Sequence, residues 1–378
     1  MPSDRSLNFG TGVTFYSRGA AAAALACALV SSGCLRKTAQ NPDAAATTAA
    51  TSTPAAQPRG KGAKLDVETP IPKASERTSP VASHGQLSVK VAQMLDAGGK
   101  PVVLRGQAFG WDNWWPQYYN ADVVRWLSED WCVDVVRPAM GIEPDGAYLS
   151  NSAASKERVE AVIEGAIAAG VYVIVDWHAH NLHQPEAVAY FSELAAKYGD
   201  KPNVIYEIFN EPEKDETWPQ VKEYAAAVIG AIRKHDPDNI VIIGSPEWDQ
   251  RIDLVAKDPL EGQTNVMYSV HFYADTHGDW LRKRTQAAVD AGIAVFVTES
   301  SGPQASGQGA NNYTEWKAWI DFMEENHISW LNYSVSDKAG ETVSILEPGG
   351  NVKGGWTSTE LTDSGEHVRN VMRSYCGK

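Results

Sequence analysis

Five apolar runs end in side chains that can carry charge or move a proton: Arg137 after Val133–Val136, Asp176-Trp177-His178 after Val171–Val175, Asn210-Glu211-Pro212 after Val204–Ile208, His271-Phe272-Tyr273 after Val266–Val270, and Glu299 after Ile293–Val297. Two of these groups are glutamates. A pair of carboxyls flanking one bond is what hydrolysis between sugars requires: one protonates the leaving oxygen while the other attacks or stabilises the sugar carbon. Arg137 and Tyr273 are candidate partners that would keep Glu299 ionised, as a nucleophile must be. Glu211 follows a long apolar run with no fixed cation near it in sequence, so a raised pKa and the acid/base role are expected of it.

For these groups to meet, the runs must be neighbouring strands. Eight such runs occur, adding Val102–Leu104, Ile240–Ile243 and Ile328–Leu331 to the five above, and helical patterns separate them, the longest at 156–169, 186–198, 218–235, 279–291 and 313–326. The runs are apolar on both faces, as strands of a covered parallel sheet are. Eight strand–helix units predict an α/β fold of the (β/α)8 TIM-barrel type, whose active site lies at the C-terminal strand ends. An open doubly wound sheet is the alternative, but it calls for a glycine-rich phosphate turn after the first strand, and none is present. Leu87–Val91 and the turn Ala97-Gly98-Gly99 predict a short N-terminal hairpin before the barrel.

The chain has 378 residues, with 33 lysines and arginines against 47 aspartates and glutamates, a net charge of −14. That balance argues against nucleic acid as a partner. All 13 tryptophans lie at or beyond Trp111, and no Phe, Tyr or Trp occurs between Tyr16 and Phe109, so the folded part is expected to begin near residue 86. Upstream, Arg18 precedes an apolar run from Gly19 to Val30 and the small residues Ser31-Ser32-Gly33-Cys34. This is the pattern of a secretory signal, and it is shorter than the roughly 20 apolar residues a membrane span needs. The expected organisation is therefore a signal over 1–34, an Ala/Thr/Pro-rich disordered tether over 35–85 and a catalytic domain over 86–378. The residues before Cys34 are similar to a bacterial lipoprotein processing site, with Ser31 where leucine is usual. Export with a lipid on Cys34, or export by plain cleavage, both fit, and a lipid would be the sole link to a membrane. Cys132 and Cys376 remain in the folded part. In a barrel both fall on the bottom face, where they either pair or stay as two buried thiols.

The segments VVRPAM, VIVDWH, NVIYEIFNEP, NVMYSVHFYADTH and VFVTES resemble glycoside hydrolase family 5, in its bacterial endo-β-1,4-glucanase (cellulase) branch. The resemblance runs from about residue 86 to the C-terminus. It implies a retaining double displacement on a β-glucan, with Glu211 as acid/base and Glu299 as nucleophile, about 5–5.5 Å apart. It further implies that Asn210 binds the 2-hydroxyl of the reacting sugar, that His271 and Tyr273 orient the carboxylates, that Arg137 supports Glu299, and that His178 lines the same subsite. ISWLNYSVSDK (328–338) also matches, and by resemblance Lys338 contacts sugar. The chain departs from the family at Tyr333, where tryptophan is usual, and at Ser300-Ser301, where an aromatic–glycine pair is usual. Both departures bear on which glucan is preferred.

Flat aromatics bind the apolar faces of sugars at low entropic cost. Trp111, Trp114, Trp115, Tyr118 and Tyr119 follow the first strand and Trp248 follows the fifth; Trp111 and Trp248, just past strand ends, are the expected sugar platforms. Three other readings compete. His178, His180 and His183 could supply zinc ligands, although few further ligands stand at the other strand ends. A non-catalytic polysaccharide-binding barrel is the second, and a hydrolase of mannan, xylan or xyloglucan is the third. No cofactor and no metal are expected, and the chain is expected to act as a monomer.

Overall fold

The computed structural model describes residues 60–65 and 70–377. The expected signal over 1–34 lies outside the described residues, as do 35–59 and 66–69 of the expected tether. Two short strands, β1 (Ser88–Lys90) and β2 (Gln93–Leu95), form an antiparallel hairpin as expected, but its turn falls at Val91–Ala92 and not at Ala97-Gly98-Gly99. Nine parallel segments follow: β3 (Arg105–Phe109), β4 (Val135–Arg137), β5 (Ala139–Gly141), β6 (Tyr172–His178), β7 (Val204–Glu207), β8 (Val241–Ile243), β9 (Val266–Tyr273), β10 (Val295–Ser301) and β11 (Ser329–Val335). β4 and β5 are one barrel strand interrupted at Pro138, which has no N–H to give to a ladder. β4 pairs with both β3 and β6, so the eight strands close into a (β/α)8 barrel. Among the described residues no helix is long and apolar enough to cross a membrane.

The first barrel strand departs from expectation. Val102 and Leu104 are buried beneath the barrel, and the strand is the polar-looking Arg105–Phe109. Its polar members are paired: Arg105 makes a two-pronged ion pair with Glu324 (2.8 and 2.6 Å), and Gln107 accepts from Asn332 (3.1 Å).

Side-chain alternation sorts the barrel into layers. Val135, Tyr172, Ile174, Ile205, Ile242, Met267, Phe296 and Leu331 form one apolar cluster, closed from below by Leu87 and Met94 of the hairpin region. The intervening Val136, Val173, Val175, Tyr206, Val241 and Val270 join the larger core against the helices. Two residues beyond the inner apolar layer, the same parity brings in Arg137, Asp176, Glu207 and Ser269, all fully buried. A hydrophobic plug therefore carries a charged layer directly above it.

Residues 60–65 and 70–85, expected to belong to the tether, are bound to the barrel instead. Lys61 pairs its backbone with Asn311 and Thr314, and Lys64 bridges Asp363 (2.9 Å) and Glu366 (2.7 Å). Leu65 bonds His367 and Asn370, while further on Arg77 donates to Ser128 O (3.0 Å) and Val81 N to Gly170 O (3.0 Å). These contacts are ionic and backbone-mediated, so the segment lacks the apolar signal of packed chain. Cys132 and Cys376 form a disulfide, with Cα atoms 5.5 Å apart.

Candidate active site

Arg137 is the centre of the charged layer. Its guanidinium donates to Glu207, to Asn210 Oδ1 (2.6 Å) and to Glu299 Oε2 (3.3 Å), and lies 3.0 Å from Asp176 Oδ2. Burial alone would lower the Arg137 pKa, but the charges of Asp176, Glu207 and Glu299 raise it, so the cation is fixed. Burial pushes Asp176 up to about 7, with Arg137 opposing. Asp176 Oδ2 is 2.6 Å from His178 Nδ1. Burial and the nearby Arg137 charge lower His178 to about 3, so its ring is neutral and donates from Nδ1.

The two glutamates expected at the mouth do meet. Carboxylate oxygens of Glu211 and Glu299 and a ring nitrogen of His271 all lie within 4.8 Å of one another. Glu299 accepts from Tyr273 OH at 2.6 Å as well as from Arg137. Glu211 is 2.8 Å from His271 Nδ1 and 3.7 Å from His180 Nδ1.

One electrostatic expectation is reversed. Burial does act to raise the Glu211 pKa, but the hydrogen bond and charge of His271 outweigh it and hold the carboxyl down at about 2. Burial works against a charged His271, and Asp249 with Glu211 raises it to about 10 nonetheless. The two groups share one proton, which rests on the imidazole in the free protein. Sequence offered no warning of this, because the cation comes from β9, two strands along the barrel wall from β7.

Asp249 was absent from the sequence-predicted site. It sits 3.2 Å from His271 Nε2, accepts from Ser269 Oγ (2.5 Å) and receives the backbone N–H of Ser245 (2.5 Å). The turn that places it is left-handed at three successive non-glycine residues, Glu247 (φ 59°), Trp248 (56°) and Asp249 (58°). Each such residue costs on the order of 1 kcal/mol, so the buried hydrogen bonds of Asp249 must hold the turn in place. Thr298 and Glu207 were also missed, although their place on the inward parity just below Glu299 and Asn210 was a usable signal.

The aromatic expectations divide. Trp111 is half-buried, with its ring edge-on to His178 (4.5 Å between centroids) and stacked with Trp114 (4.7 Å). A side chain at Gly141 would strike it, with a Cβ only 2.9 Å from the Trp111 ring. Trp248 is half-buried, with the Lys214 ammonium 5.3 Å from its ring centroid. Tyr118 and Tyr119 are core residues, and the Tyr119 hydroxyl bonds Gly110 O (2.6 Å) and Ala139 O (3.0 Å). Tyr333 lies parallel to His178 at 6.3 Å, and Ser300 donates to Leu331 O (2.7 Å). Lys338, beyond the end of β11, bonds Glu341 through Nζ (3.0 Å).

The histidines do not build a metal centre. His178 is bound to Asp176, His180 lies against Glu211, and His183 is 3.3 Å from Glu143. The donors of Glu211, His271 and Glu299 are close enough to share an ion, but each is already engaged by a protein hydrogen bond. A separate cleft of about 800 Å³, lined by Arg77, Arg105, Asp134 and the Cys132–Cys376 pair, contains none of these groups.

Residues 95–339 match the family model for cellulase, glycosyl hydrolase family 5. The chain belongs to this family. Family 5 relatives include Endoglucanase 5 of Pectobacterium carotovorum subsp. carotovorum, 42 % identical over 302 residues, which span 78 % of this chain and 59 % of that protein. Endoglucanase Z of Dickeya dadantii (strain 3937) is 42 % identical over 299 residues, covering 78 % of this chain and 68 % of that one. Among solved structures, the catalytic domain of the Thermobifida fusca endoglucanase Cel5A is 32 % identical with a TM-score of 0.74, covering 78 % of this chain and all of that domain, and a glutamate-to-glutamine variant of that domain is known in complex with cellotetraose.

Proposed function

We propose that this family 5 chain is a retaining endo-β-1,4-glucanase, with Glu299 as nucleophile and Glu211 as acid/base. The observation that carries the reading is the approach of their carboxylate oxygens within 4.8 Å, which suits direct attack on the sugar and leaves too little room for an intervening water. Glu299 attacks the anomeric carbon as Glu211 takes up the proton it shares with His271 and passes it to the departing glycosidic oxygen. A water deprotonated by Glu211 then releases the sugar from Glu299. Tyr273 and Arg137 hold the nucleophile ionised and oriented from two sides. Asn210 gives its oxygen to Arg137, which turns its amide toward the cleft; that buried Nδ2 has no protein partner and is suited to a sugar hydroxyl. Trp111 and Trp248 are the proposed sugar platforms, with Tyr333, His178 and Lys338 completing the substrate contacts.

The endoglucanase names of the relatives support β-glucan as substrate. A second reading, another β-1,4-polysaccharide, is favoured by Tyr333, a smaller ring than the tryptophan usual there. We also propose export from the cytoplasm, with Cys34 as a candidate lipid site; the Cys132–Cys376 disulfide supports an oxidising compartment. The deciding experiment is reducing-sugar release by the full chain from soluble β-1,4-glucan, mixed-linkage glucan, mannan and xylan, beside Glu299→Gln. Release from the glucans, lost by about 10³-fold or more in the variant, supports the reading. Binding without release from any polymer would replace it with a polysaccharide-binding barrel.

A further inference from the structure

The two mouth carboxylates are joined through the barrel interior by an unbroken chain of hydrogen bonds. Glu211 Oε1 meets His271 Nδ1 at 2.8 Å, and His271 Nε2 meets Thr298 Oγ1 at 2.8 Å. The Thr298 hydroxyl lies 2.5 Å from Glu207 Oε1. Glu207 Oε2 accepts from Arg137 Nε, and Arg137 Nη1 reaches Glu299 Oε2 at 3.3 Å. Thr298 and Glu207, the middle links, are fully buried, and neither has a place in the chemistry proposed above.

Proton counting along the chain assigns each donor. Burial works against the Glu207 charge, but its ion pair with the fixed Arg137 cation favours the carboxylate, and an ionised Glu207 accepts at Oε1 as well as at Oε2. A threonine hydroxyl has one hydrogen, and here it points at Glu207. The face of Thr298 turned to His271 is then a lone pair, and the histidine must present N–H at Nε2. An ionised Asp249, whose Oδ2 lies 3.2 Å from the same nitrogen, accepts there as well. Whatever the charge on the ring, Nδ1 is therefore the nitrogen that gains and loses a proton, and Nδ1 faces Glu211.

We propose that Thr298 is a positioning residue: by bridging Glu207 to His271 it fixes the Nε2–H tautomer and makes His271 Nδ1 the proton store for Glu211. The consequence for rate rests on the hydrolase reading; the tautomer does not. The charged and titratable groups around His271 are Glu211, Asp249, Glu299, Glu207 and Asp176 as carboxyls, with His277 as an imidazole that burial keeps neutral. Removing the Thr298 hydroxyl withdraws an acceptor from Nε2–H and a donor from Glu207. The imidazolium is then less stable, and the shared proton is lost at lower pH.

The test compares the full-length wild type with Thr298→Val and Thr298→Ser. In the valine variant the alkaline limb of kcat/KM on soluble β-glucan is expected to fall by about half to one pH unit, the worth of one hydrogen bond, and serine is expected to restore it. Nitrogen-15 spectra of the ring should show Nε2–H in the wild type and a His271 titration that moves down with the kinetic limb. Thr298→Ala serves in the same way if valine does not fold. An unchanged His271 titration in folded valine or alanine variants overturns the proposal, as does a wild-type ring protonated at Nδ1 alone when neutral. If the wild type cleaves no glucan, the function reading fails, while the ring spectra still decide the role of Thr298.

Discussion

The carboxylate of Glu211 lies 2.8 Å from the ring of His271, although 60 residues separate them in the chain. Each group holds the other charged. Glu211 is brought down from 4.5 to about 2, so its share of stability is complete above pH 4.5 and is lost as pH falls through 2. His271 is raised from 6.5 to about 10, so its share is complete below pH 6.5 and is lost as pH rises through 10. The stability margin of wild type over Glu211→Gln should thus be widest between pH 4.5 and 6.5, by about 1–3 kcal/mol, and shrink toward both extremes. Urea unfolding across pH measures it, and a margin independent of pH would refute the pairing.

Tyr333 is half-buried and parallel to His178. Tryptophan there would add roughly 30–40 Å² of apolar ring, worth about 1 kcal/mol against a sugar face. Tyr333→Trp is expected to lower KM for soluble β-glucan about threefold to tenfold with kcat little changed. An unaltered KM would take Tyr333 off the sugar-binding surface.

Truncation tests what the described residues of the N-terminal segment contribute. Removing residues 1–59 should leave the thermal midpoint unchanged. Removing 1–85 takes away the partners of Asp363, Glu366 and Asn370 as well as the Arg77 contacts, and should lower the midpoint by about 5–10 °C. Equal midpoints for the two truncations would show that residues 60–85 contribute nothing to the folded domain.

The disulfide bridges 244 positions of sequence, so its loss frees a long loop in the unfolded chain. Cys132→Ser with Cys376→Ser should cost about 2–5 kcal/mol, and reductant should shift the urea midpoint of the wild type but not of the double variant. A reductant-insensitive wild type would mean the thiols are free.

The strand ends were legible in sequence because the barrel obeys simple rules: an apolar run, then a polar residue, at regular spacing. Arg137, Asn210, Glu211, His271, Tyr273 and Glu299 all reach one site on that logic. What escaped did so for identifiable reasons. Arg105–Phe109 reads as a loop because the partners that satisfy its polar side chains, Glu324 and Asn332, come from distant sequence. Asp249 depends on a left-handed turn with no glycine to announce it. The state of Glu211 depends on a histidine brought up by another strand, which run-by-run reading does not see. Residues 60–65 are fixed by salt bridges and backbone pairing, and composition alone classed them with the tether.

The bond between Cys132 and Cys376 makes most of the barrel a covalent ring. Arg137, Glu207, Glu211, Asp249, His271, Thr298 and Glu299 all lie inside it. A protease that cuts one surface loop between these cysteines leaves two fragments still joined through the disulfide and releases no piece. The two carboxylates then stay on one molecule, held in register by a barrel that can close again around the break.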